Sequence, residues 1–160
     1  MYLASYPSHH SPTDFADEPF FLLLGVSVAT FACDDALNET SVLREFDCLY
    51  STHYQLLWSY LNRVSDAAKE NCGPEIRTLI RLAGIGKANA EYTEWVHESI
   101  EVLSISCPSE FVRTWEQDEN SDVVKILKNP IYHDKELIVR AIRASSKTSM
   151  RQKLLNALSE

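Results

Sequence analysis

The chain has 160 residues, of which 45% are hydrophobic and 24% charged, with only 4 Gly and 6 Pro. This is the balance of one ordinary globular domain, and it excludes a low-complexity or collagen-like chain. The net charge of −8 is unevenly placed: residues 1–119 hold 7 Lys/Arg against 19 Asp/Glu, whereas residues 120–160 hold 8 against 4. A mostly acidic body argues against a primary nucleic-acid role, because phosphate binding needs concentrated positive surface.

Residues 1–19 mix Ser, Pro, His and acids without a period and read as loop. Phe20 to Ala32 is an uncharged run. As a helix it would span about 20 Å, short of the roughly 30 Å bilayer core, but its length suits the apolar region of a signal peptide. Ala32-Cys33-Asp34-Asp35 closes the run and resembles the end of a bacterial lipoprotein signal, in which the cysteine becomes the lipidated first residue. The resemblance implies lipidation at Cys33, contact with a membrane through an N-terminal anchor, and a cell-envelope or periplasmic location. The alternative is a buried apolar helix or strand, Phe20 to Val28, in a cytoplasmic protein. The expected organisation is a tail plus signal-like or anchor segment over residues 1–37 and one all-helical domain over residues 38–160.

The stretch Val42 to Glu70 carries Leu43, Phe46, Tyr50, Tyr54, Leu57, Leu61, Val64 and Ala68 at steps of three or four. That spacing predicts one long amphipathic helix, about 40 Å in length, serving as the spine of the domain. Thr40 or Ser41 is its expected cap, with Glu45 near its positive end. Asn71-Cys72-Gly73-Pro74 stops it, with Gly73 expected in the left-handed position and Pro74 opening the next helix, which runs to about Ala83. Gly84-Ile85-Gly86 breaks that one.

A helix from about Lys87 to Ser104 has Tyr92, Trp95, Val96, Ser99, Val102 and Leu103 inward. Glu91, Glu94, Glu98 and Glu101 form an acidic stripe on its outer side. Shorter helices follow at Pro108–Glu116, Asp122–Lys128 with Asn120 or Ser121 as cap, Lys135–Ser145 with Asp134 as cap, and Thr148–Leu158. No segment of this body shows a clean period-two strand. The expected fold is all-α: an irregular helical bundle or short helical array of about six helices, preceded by an apolar N-terminal segment.

Catalytic signatures are lacking; neither GxSxG, a P-loop, HExxH nor GxGxxG occurs. Cys33, Cys48, Cys72 and Cys107 contain no CxxC pair, which disfavours structural zinc. In an exported protein Cys72 and Cys107, both at helix ends beside Pro, are disulfide candidates; in a reducing compartment all four thiols would be small apolar residues. Glu94 and His97 make one ExxH match, whereas helical di-metal proteins use two, so the bland reading is a solvated surface and a metal site is the sharper one. His53 reads as a core or rim histidine, with a buried general base as its alternative. His133-Asp134 resembles a base with its orienting carboxylate, although Asp134 is already explained as a cap. Trp58 and Tyr60 fall off the main stripe; they either pack a second helix layer or face a partner.

The leading expectation is a non-enzymatic protein-interaction module without a cofactor, exported or lipid-anchored. Its acidic stripe, Glu91, Glu94, Glu98 and Glu101, would suit a basic protein partner. The rivals are a small metal protein or enzyme using Glu94 and His97, and a self-associating structural protein whose off-stripe aromatics meet in a homodimer.

Overall fold

A computed structural model of the chain describes Cys33 and residues 37–159, and every regular element among them is an α-helix. In chain order these are α1 (Glu39–Thr52), α2 (Tyr54–Asn71), α3 (Glu75–Leu82), α4 (Ala90–Ser106), α5 (Pro108–Asp118), α6 (Ser121–Lys128), α7 (Lys135–Ala144) and α8 (Ser149–Ser159). The all-helical fold is therefore as the periodicity predicts, in eight helices rather than about six. The apolar run at residues 20–32 lies outside the described residues. No helix among them is long and apolar enough to cross a membrane.

The long first rod bends where continuity was expected. His53 leaves helical geometry at φ −126°, ψ 36°, and separates α1 from α2. The hydrogen-bond ladder nevertheless runs through it: His53 N–H donates to Leu49 C=O at 2.8 Å, and Leu57 N–H donates to His53 C=O at 2.9 Å. The hydroxyls of Ser51 and Thr52 both donate to Cys48 C=O, at 2.9 and 2.7 Å. Such back-bonding to an acceptor of the same turn bends helices. Most of the apolar stripe survives the bend, with Phe46, Leu57, Leu61, Val64 and Ala68 buried and Leu43 and Tyr50 half-buried, but Tyr54, next to the bend, is exposed.

Helix ends also differ in detail from expectation. The α1 cap is Asn38, whose side chain accepts from Ser41 N–H while the Ser41 hydroxyl oxygen accepts from Asn38 N–H, a reciprocal box that replaces capping by Thr40 or Ser41. At the end of α2 the left-handed residue is Cys72, at φ 46°, rather than Gly73. Asn89 starts α4 by accepting from Tyr92 N–H at 2.9 Å. Asn120 caps α6 through its Oδ1, and its Nδ2 donates to Ile80 C=O at 2.6 Å, tying α6 to α3. Asp134 precedes α7 in extended geometry but makes no side-chain cap bond.

The true hub is α4, not the α1–α2 rod: it packs against α2, α3, α5, α6 and α7. Small residues allow this; Ser65 of α2 and Ser99 of α4 meet through their buried hydroxyls at 3.1 Å. Tyr92, Ile100 and Leu103 of α4 are fully buried with Leu79 and Ile80 of α3, Phe111 of α5, Leu127 of α6 and Ile138 and Ile142 of α7. Gly86, at φ +62°, sets the turn into α4; a Cβ there would stand 2.4 Å from the Tyr92 ring and 2.9 Å from Phe46. Two disulfides staple the structure, Cys33–Cys48 onto α1 and Cys72–Cys107 between the ends of α2 and α4.

Candidate interaction face on helix α4

The outer face of α4 carries Glu91, Glu94 and Glu98, all exposed. The fourth member of the expected stripe departs from it. Glu101 has no exposed surface, because the segment after Pro130 folds over it. Its carboxylate accepts three successive backbone N–H groups, from Ile131 at 2.8 Å, Tyr132 at 2.9 Å and His133 at 2.8 Å. Hydrogen bonding of this kind is what lets a buried carboxylate survive. The Nδ1 atoms of His97 and His133 are shielded from water, make no hydrogen bond, and stand 4.0 and 3.4 Å from the same carboxylate. Burial holds the His97 imidazole below its ordinary pKa, against the opposing pull of Glu101.

The clamp fixes backbone while leaving side chains in water. Ile131 is 62% exposed and Tyr132 44%. The Tyr132 phenol is pushed above its ordinary value, first by partial loss of water and then by the charges of Glu94, Glu98 and Glu101. An apolar pair thus sits beside the acidic ridge on a backbone held by three hydrogen bonds.

The other edge of the ridge is aromatic. Phe46, Tyr50, Tyr54 and Trp58 follow at steps of four along the bent α1–α2 rod, with ring centroids 5.8, 5.4 and 6.1 Å apart. Trp58 meets Trp95 of α4 edge-on at 6.1 Å, and Tyr92 closes the circuit against Trp95 and Phe46. Glu91 accepts from the hydroxyls of Tyr50 at 2.8 Å and Tyr54 at 2.7 Å. That bond to Glu91, followed by desolvation, raises the Tyr54 pKa.

Trp58 is half-buried within this edge, whereas Tyr60 is buried, 9% exposed, with the Arg63 guanidinium 5.6 Å over its ring. Tyr60 therefore packs and offers no partner surface. Glu94 is exposed and His97 half-buried, and among the described residues no group of three or more His, Cys, Asp or Glu is placed to hold a metal ion. His53 is half-buried at the kink, and His133 faces Glu101 instead of pairing with Asp134. Cys33 is joined to Cys48, and one sulfur cannot carry both that bond and a lipid thioether. Cys72 and Cys107 are joined to each other, so the described chain holds no free cysteine.

What sequence reasoning misses here is the Glu101 clamp and the Ile131–Tyr132 display. The available signal was an apolar pair following Asn129-Pro130, outside any helical pattern. Comparison with known proteins finds no family model, no curated protein and no solved structure that matches this chain.

Proposed function

We propose that this chain is a non-enzymatic protein-interaction module of an oxidising, extracytoplasmic compartment, and that its α4 face binds a basic partner surface. The observation that carries this reading is the clamp. A fully buried carboxylate is committed to fixing a loop whose Ile131 and Tyr132 side chains stay in water beside Glu94 and Glu98. A fixed apolar anchor at the rim of a charged patch is the anatomy of a binding surface. The unneutralised carboxylates would steer an oppositely charged partner and set its register. Pairing of all four cysteines supports the compartment, since disulfides persist where thiols are not kept reduced.

A photo-crosslinking residue in place of Tyr132, introduced into the full chain in cells that make it, tests the reading. A discrete adduct is expected at Tyr132 and not at Glu116 on α5, and it should weaken when Glu94 and Glu98 are both changed to Lys. The absence of any adduct at Tyr132, or equal adducts at both sites, would overturn the reading.

A further inference from the structure

Resting on that reading of the α4 face, we propose that its basic partner is a second copy of this chain, docking through α7. Lys135, Arg140 and Arg143 line an open groove of about 500 Å³ between α7 and the end of α8, with Val139 beside them and Glu136 as its one acid. None of the three forms an ion pair among the described residues. By contrast every arginine of α1, α3 and α5 is paired, Arg44 with Glu45, Arg77 with Asp118, Arg81 with Glu39 and Arg113 with Glu110. Three cations thus share one helix face with no acid paired to any of them among the described residues. Among the described residues Glu94 and Glu98 likewise have no ion pair.

The two stripes match in number and length. Glu91 to Glu98 covers about 10 Å of helix, and Lys135 to Arg143 about 12 Å, at 1.5 Å per residue. Tyr54, 38% exposed on the aromatic edge of the ridge, gives an incoming guanidinium group an aromatic neighbour. Within one molecule α4 and α7 pack against each other, yet no ion pair joins their charged stripes. Both therefore remain available to another copy. Because each copy carries both surfaces, the contact either closes reciprocally as a two-fold dimer or repeats head to tail as a ring or chain.

Two neutralised variants of the full-length protein separate the surfaces. One carries Glu91→Gln, Glu94→Gln and Glu98→Gln; the other carries Lys135→Gln, Arg140→Gln and Arg143→Gln. Sedimentation velocity at low salt should show the unmodified chain self-associating with concentration, as a dimer or larger, and dissociating at high salt. Each variant alone should stay monomeric. An equimolar mixture retains one intact ridge and one intact stripe between the two species, so it should form a dimer and nothing larger. A monomeric unmodified chain, a variant that still associates alone, or a mixture that stays monomeric would each overturn the proposal. A crosslinked adduct at Tyr132 whose mass is not that of two copies would leave the interaction reading standing and remove the second copy as its partner.

Discussion

Taking the Glu101 carboxylate out of water costs several kcal/mol, and three backbone donors at 2.8–2.9 Å repay it only while all three are present. Glu101→Ala leaves those donors facing a hole at the edge of the core. The loss is expected to be about 3 kcal/mol, smaller than for a fully enclosed ion because the loop is partly open to water. Thermal unfolding should show the midpoint falling by about 10 °C. A change within about 0.5 kcal/mol of the unmodified protein would mean that the loop holds itself. Nothing in the local sequence separates Glu101 from Glu91, Glu94 and Glu98, for all four fall at helical steps of three and four. Periodicity assigns a residue to a helix face but cannot see that a non-helical segment thirty residues later covers part of that face. Tyr60 shows the other side of the same rule: it lies off the main stripe, and of its two expected readings the structure shows packing, with Arg63 over its ring.

At the scale of elements, the amphipathic pattern located the helices because most bury one stripe against the core. It failed to rank them for the same reason. The hub, α4, buries Tyr92, Val96, Ser99, Ile100, Glu101, Leu103 and Ser104, which together cover most of its circumference. A helix covered on several sides shows a weaker one-sided pattern than a peripheral one, so the long rod carries the stronger signal. The bend in that rod was signalled only by the adjacent Ser51 and Thr52. Cys72 and Cys107 stand at helix ends beside proline, a position readable from sequence, and their bond joins the ends of α2 and α4 across a separation of 35 residues. Loop-closure entropy for such a span gives a contribution of about 3–4 kcal/mol. Replacing both by Ala should lower the unfolding midpoint by about 10 °C and reduce the further effect of added reductant to that of Cys33–Cys48 alone. If the variant unfolds with the unmodified protein, the staple contributes nothing to the folded state's margin.

For the whole molecule, the groups whose protonation differs between folded and unfolded chains set a pH window of greatest stability. On the acid side, the buried His97 has a folded pKa below the 6.5 of an exposed imidazole. As pH falls through about 6.5 the unfolded chain takes up that proton first, so stability is lost from there down through the folded value. Asp122 acts lower still: bonds from Lys125 and Lys87 depress its pKa from 3.8, so its contribution is present above that value and disappears as pH falls through the depressed one. On the alkaline side the sign reverses. Tyr92 is fully buried, donates to Leu82 C=O at 2.9 Å, and is held protonated well beyond the ordinary phenol value of 10.0. The unfolded chain releases that proton as pH rises through about 10 while the folded one cannot, so stability drains above pH 10. Tyr54, Tyr60 and Tyr132 are shifted in the same direction and steepen the fall. Denaturant midpoints measured from pH 5 to pH 11 should therefore form a plateau between about 6.5 and 10 with a decline on each side. Tyr92→Phe should cost about 1 kcal/mol on the plateau, for the lost bond to Leu82. Above pH 10 it should lose stability less steeply than the unmodified chain, because one of the four contributing phenols is gone. Parallel alkaline slopes for the two proteins would mean that the hub helix does not enclose Tyr92 in solution, and the packing of α4 against α3 would have to be redrawn.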